Sequence, residues 1–157
     1  MTTTLFIPTL NEVEGLRDIV PRLKWDWFDQ VLLVDGGSTD GTVEFARNEG
    51  FDVYVQKQPG LRQAYREAWP LIKGEIVITF SPDGNCIPEL IPELIRKMHE
   101  GYAMVIASRY LPPATSEDDT LVTSFGNCLF TKLINELHGG HLTDAMGIYR
   151  AYLTRLF

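Results

Sequence analysis

Short runs of consecutive apolar residues alternate along this chain with stretches in which apolar residues recur every three or four positions. Leu5 to Ile7, Gln30 to Val34, Val53 to Val55, Glu75 to Phe80 and Met104 to Ala107 are rich in Val, Ile, Leu and Phe and predict strands. Helical spacing fills the intervals. The first helix is expected to open at Asn11, whose side chain caps it in a capping-box-like pair with Glu14, and to run to about Pro21. A second follows the N-cap candidate Asp40 and ends at Gly50, and a third covers Arg62 to Ile72. Pro88 begins a fourth, which carries Leu90, Ile91, Leu94, Ile95 and Met98 inward and stops at Gly101. A fifth spans about Leu121 to Leu137, and a strand-like "IYRAYL" follows near the end of the chain.

Strand and helix in regular alternation predict βαβ units, whose right-handed crossovers build an α/β fold with a mostly parallel sheet and helices on both faces. At 157 residues, 45% of them hydrophobic, the chain is expected to form one domain over residues 1–157. Only "LPPATSEDDT", 111–120, reads as a long loop, either a flap or a plain solvated segment. The fifth helix aligns Leu121, Val122, Phe125, Leu129, Leu133 and Leu137, widened by Phe130 and Ile134. That stripe is expected to pack on the sheet, with a bilayer-facing role as the alternative.

Charge narrows the partners. A formal charge of −7 and an isoelectric point near 4.9 argue against a nucleic-acid surface, which needs a basic stripe. An anionic substrate would require local cations. Cys86 and Cys128 form no CxxC pair and read as two small buried thiols in a reducing compartment. Met1-Thr2-Thr3-Thr4 leads straight into the first strand without a basic flank, and nowhere do eighteen apolar residues run together, so a cytoplasmic protein is expected.

In a parallel sheet, ligands bind beyond the carboxyl ends of the strands. Those ends read "IPTLNE", "VDGGSTDGT", "QPGLRQA", "SPDGN" and "SRY". Three carry a carboxylate and two an arginine, which suits a ligand with phosphate, sugar hydroxyls and a divalent cation. The first strand leads into Pro8-Thr9-Leu10, and neither a GxGxxG turn nor a Gly-rich triphosphate loop stands there, which disfavours a dinucleotide oxidoreductase and a pyrophosphorylase.

Pro8 with Asn11-Glu12, then Asp35 through Thr42, then Asp83 with Pro88-Glu89, then Ser108-Arg109-Tyr110, stand in an order and spacing that resembles the inverting glycosyltransferases of family 2. The nearest branch is that of the dolichyl- or polyprenyl-phosphate sugar synthases. The resemblance implies a GT-A nucleotide-diphosphosugar transferase fold. It also implies sugar transfer from a UDP- or GDP-sugar, with inversion, to an acceptor such as a polyprenyl or dolichyl phosphate at the inner face of a membrane. Relatives continue past the point where this chain stops, so it is expected to lack acceptor-side elements, either as a piece of a longer protein or as a minimal variant. A non-catalytic nucleotide-sugar-binding or regulatory module is the alternative.

The resemblance also assigns residues. Pro8, Leu10, Glu12, Asp35, Gly60, Arg62, Ser81 and Arg109 would bind the nucleotide sugar, Asp83 would hold Mg²⁺ or Mn²⁺, and Asp83 and Asp144 would be catalytic. Asp35 ends an apolar strand before two glycines, so a flat base can approach and its carboxylate can accept a ring N–H; a turn-forming, helix-capping Asp is the competing reading. Glu12 equally suits a helix N-terminus. Ser81 stands where the family usually places the first acid of D-x-D, which leaves Asp83 with the diphosphate and waters, Asn85 adding at most a neutral oxygen; Mg²⁺ tolerates such a sparse set. An Asx turn before Pro88 explains Asp83 without any metal. Arg62 and Arg109 offer planar forks for phosphate, or ordinary solvated surface. Asp144, in "TDAMGIYRAY", resembles the acid before a Gly-Phe-Arg segment, but Gly147 comes one place early and Ile148 takes its position. A lipid phosphate is already an anion and needs no strong general base. His138 and His141 have ligand spacing, but the intervening glycines indicate a turn.

Overall fold

A computed structural model describes residues 1–111 and 121–156; most of the loop expected at 111–120 lies outside the described residues. Two compact units make up the chain, one of Met1–Val105 with Tyr149–Phe157 and one of Ile106–Ile148.

The first unit holds the sheet. Its strands are β1 (Thr3–Thr9), β2 (Gln30–Asp35), β3 (Asp52–Val55), β4 (Ile76–Thr79), β5 (Met104–Ile106) and β6 (Arg150–Leu153), in the spatial order β3-β2-β1-β4-β6-β5. β1, β2, β3 and β4 run parallel, and β6 pairs antiparallel with β4. The sheet is therefore mostly parallel, as the alternation predicts, and "IYRAYL" supplies the reversed strand. Every residue of β2 and β4 is buried, which accounts for their unbroken apolar runs. One face packs Phe6, Leu32, Val34 and Val77 against Ala64 and Ala68 of α3 (Leu61–Ala68) and against Tyr152. The alternate residues Leu5, Ile7, Leu33, Ile76 and Ile78 are buried on the other face.

The remaining helices are α1 (Val13–Ile19), α2 (Thr42–Asn48), α4 (Ile91–His99) and α5 (Leu121–His138), with single 3₁₀ turns extending α1 and α3 and preceding α4. Gly50 and Gly101 adopt positive φ after α2 and α4, the conformation their stop positions require. The start of α1 differs from expectation. Asn11 sits at φ 56° and its Oδ1 accepts from Thr39 N at 2.9 Å. Instead, the first amides of the helix are met from the β2–α2 loop: Glu12 N donates to Thr42 Oγ1 at 3.0 Å and Val13 N to Asp40 Oδ2 at 3.1 Å. A local capping pair fails here because a distant loop meets the same donors.

The second unit contains α5, and its stripe is a correction. Phe125, Leu129, Phe130, Leu133 and Leu137 are exposed, Leu137 by 77%, whereas the polar Asn127 and Thr131 are buried. A buried carboxylate, Asp144, draws the polar side of the helix inward. Cys86 is buried, but Cys128 on α5 is exposed, against the expectation of two buried thiols.

Candidate active site

The carboxyl ends of β1, β2 and β3 stay in register, with Thr9 opposite Asp35 and Asp35 opposite Val55. Two further bonds extend the ladder, Gly36 N to Thr9 O and Gln56 N to Asp35 O, each 2.8 Å. Beyond them lies a cleft of about 230 Å³ lined by Pro8, Thr9, Leu10, Gly36, Gln56, Pro59, Gly60, Leu61 and Ala64. Three of the residues singled out in the sequence, Pro8, Leu10 and Gly60, thus share one cavity. A Cβ on Gly36 would stand 3.3 Å from Thr9 O and 3.4 Å from Gln56 Oε1, a tight fit against this wall. Arg62 follows the cleft residue Leu61 on α3 and is exposed.

Asp35 is 1% exposed beside this cleft. Its Oδ2 accepts the amides of Gly37 and Ser38 at 2.8 and 2.9 Å. Its Oδ1 is buried and accepts nothing, and Thr9 Oγ1 is also buried without a partner. Buried polar atoms are rarely left so, because each has given up water without replacement. The turn-forming reading of Asp35 accounts for one oxygen and leaves the other without a partner.

A second group of acids gathers around the start of α1. Burial, Asp83 and Asp40 together push the Glu12 carboxyl above its ordinary value. Asp83 comes close because the β4–α4 turn lies against α1 at Gly15, where a Cβ would stand only 2.1 Å from Pro82 O. Within that turn Asn85 N donates to Asp83 Oδ1 at 3.0 Å, the Asx contact expected of a structural aspartate, and Ser81 N donates to Cys86 Sγ at 3.4 Å. Burial pushes the Cys86 thiol up to about 12, so it is protonated and inert. Oxygen donors from Glu12 and Asp83 suit a hard divalent cation. Among the described residues no cluster of three acidic, His or Cys side chains surrounds one point, so such a cation would need oxygens from its ligand.

In the second unit, Arg109 and Asp144 meet each other. Arg109 Nε donates to Asp144 Oδ2 at 2.9 Å and Nη2 to Oδ1 at 3.3 Å, while Asn127 Nδ2 and the Gly147 amide donate to Oδ1 at 2.9 and 3.0 Å. Burial pushes this carboxyl up, but the donors from Arg109 and Asn127 outweigh it and hold Asp144 at about 2. A carboxylate so saturated is a poor proton acceptor at neutral pH, and it organises the unit by fixing α5, Arg109 and the 145–147 turn.

The family model for glycosyl transferase family 2 matches residues 4–157. The chain belongs to that family. It is 32% identical over 156 residues to Glycosyltransferase AglJ of Haloferax volcanii, covering 98% of this chain and 50% of that protein. It is 29% identical over 161 residues to the undecaprenyl-phosphate 4-deoxy-4-formamido-L-arabinose transferase of Aeromonas hydrophila, covering 95% of this chain and 48% of the relative. Among solved structures, glucosyl-3-phosphoglycerate synthase from Mycobacterium tuberculosis with phosphoglyceric acid superposes with a TM-score of 0.78 at 24% identity, over 99% of this chain and 57% of that one. The same enzyme bound to Mn²⁺, UDP-glucose and phosphoglyceric acid superposes with a TM-score of 0.75 at 25% identity, over the same shares of the two chains. The fold is the GT-A glycosyltransferase fold. The chain spans about half the length of the relatives it matches.

Several residues of this family member's cleft escaped sequence reasoning. Gln56 and Thr9 line it, Gly15 admits the Asp83 turn, and Thr42 and Asp40 secure the helix that carries Glu12. Of these, Gly15 carried a readable signal, since a glycine inside a helical run usually has a packing reason.

Proposed function

We propose that the protein transfers a sugar from a UDP- or GDP-sugar, with inversion at the anomeric carbon, to a polyprenyl or dolichyl phosphate presented at the inner face of a membrane. The 157 residues act as one catalytic domain in this reading. The observation that carries it is the unpartnered, buried Oδ1 of Asp35 next to a cleft whose walls are Leu10, Gly36, Leu61 and Ala64. Apolar and glycine walls accept the faces of a flat base, and a fixed carboxylate oxygen accepts its ring N–H, which uracil and guanine both have. Pro8 and Gly60 also line it.

From the base, the diphosphate would extend toward Glu12, Asp83 and the backbone of Ser81, with Arg62 as a candidate partner for its oxygens. Mg²⁺ or Mn²⁺ held by Asp83, with Glu12 nearby, would neutralise charge on the departing diphosphate. The relatives' names support the lipid acceptor, since one of them is an undecaprenyl-phosphate transferase. The exposed stripe of α5 supports it too, because a large apolar patch marks an interaction surface. A phosphate acceptor is already ionised, so the attack needs orientation more than a base, consistent with an Asp144 occupied by Arg109.

Substituting Asp35→Asn tests the reading at constant shape. The amide can still accept from Gly37 and Ser38, but it places a donor where Oδ1 was, opposite the ring N–H. Calorimetric titration with UDP and GDP in the presence of Mn²⁺ is expected to show roughly hundredfold weaker binding in the variant; unchanged binding would discard Asp35 as the base contact. A second reading, a binding module without turnover, is favoured by Ser81 in the place of an acid. Tight binding with no transfer to polyprenyl phosphate by the full-length protein would select it.

A further inference from the structure

The strand-to-helix segment 56–60 supplies three of the cleft's residues, Gln56, Pro59 and Gly60, yet residues 57–60 are exposed and belong to no helix or strand. What holds them is a carboxylate two turns into α3. Glu67 Oε2 accepts the Lys57 amide at 2.8 Å and the Tyr54 hydroxyl at 3.1 Å, and its Oε1 accepts the Gln58 amide at 3.2 Å. From inside the segment, Gln56 Nε2 donates to the carbonyls of Gln58 and Gly60, each at 3.0 Å. Amides are thus held by one side chain and carbonyls by another. With both protons of its Nε2 engaged, Gln56 is left presenting Oε1, an acceptor, beside Gly36 on the cleft wall.

We propose that Glu67 is a positioning residue for nucleotide recognition: its carboxylate fastens the 57–60 segment to α3 and thereby fixes the cleft wall and the orientation of the Gln56 carboxamide. This role rests on the nucleotide-sugar reading above. Glu67 is well suited to it, because the bonds from Lys57 N, Tyr54 and Gln58 N hold its carboxyl below the usual range, so the latch stays charged at neutral pH. Its carboxylate bonds go to Tyr54, Lys57 and Gln58, none of which lines the cleft, so its effect on binding passes through the segment.

Three variants separate the possibilities. Glu67→Ala removes both acceptors. Glu67→Gln keeps one and turns an N–H₂ toward a backbone N–H. Tyr54→Phe removes only the phenol donor and leaves both loop bonds, so it controls for general loosening of the β3–α3 region. Binding of UDP and GDP is measured by calorimetry, alongside hydrogen exchange at the amides of Lys57 and Gln58. Both Glu67 variants are expected to weaken whichever nucleotide the parent protein binds by about tenfold and to accelerate exchange at those two amides, while Tyr54→Phe binds as the parent does. Unaltered affinity in Glu67→Ala despite faster exchange at 57 and 58 overturns the role, as does an equal loss in Tyr54→Phe. A parent protein that binds neither nucleotide overturns the nucleotide reading itself, a distinct failure.

Discussion

Glu12 stands among like charges at the start of α1, and that placement has a measurable consequence. With its pKa raised by burial and by Asp83 and Asp40, the folded state favours the protonated carboxyl. The sign follows: its contribution to stability is present below the unfolded pKa of about 4.5 and is lost as pH rises through the raised value. A divalent cation bound between Glu12 and Asp83 would reverse this by favouring the ionised form. Binding of Mn²⁺ with nucleotide is therefore expected to release more protons at pH 5 than at pH 7. Calorimetry in buffers of different ionisation enthalpy reads the difference directly; no proton release at pH 5 would place the cation away from Glu12.

Among elements, the contact of the β4–α4 turn with α1 matters most, because it brings Asp83 toward Glu12. Gly15 makes that contact possible, and Gly15→Ala would force Pro82 O away from a Cβ only 2.1 Å distant. The expected cost is about 2 kcal/mol of stability, with Asp83 displaced, read as a lower denaturation midpoint and a weaker Mn²⁺ effect on nucleotide binding. This element scale is also where sequence and structure part company. The strand ends that carry Asp35 and Asp83 were legible because buried apolar runs and Gly-rich turns are local patterns. The start of α1 was not, since Asn11 and Glu14 offer a plausible local cap and nothing nearby announces that Thr42 and Asp40 will act in their place. Gln56 and Glu67 were silent for the same reason: their partners are set by how a loop folds back on a helix. The α5 stripe misled because a periodic apolar pattern says that one face differs from the other, whereas which face is buried depended on Asp144, Asn127 and Thr131.

For the whole molecule, ligand binding should stabilise the fold by mass action, and the size of the shift ranks ligands. A thermal-unfolding panel of UDP, GDP and their sugars, each with and without Mn²⁺, is expected to raise the midpoint for one nucleotide series and to raise it further with metal. A ligand at one hundred times its Kd contributes about 2.7 kcal/mol, a shift of several degrees for a chain of this size. No shift with any of them would count against nucleotide-sugar binding by the 157 residues. Among those described, no helix is long and apolar enough to cross a bilayer.

The borrowing of caps between the first two crossovers bears on how the chain is made. Helix α1 has its leading amides satisfied only when Asp40 and Thr42 arrive, 27 and 30 residues downstream. A nascent polypeptide still lacking that loop leaves those amides to water and its first helix without this support. A ribosome-bound chain whose emerged portion ends at residue 38 should therefore remain sensitive to protease at α1, and one whose emerged portion extends past α2 should become more resistant.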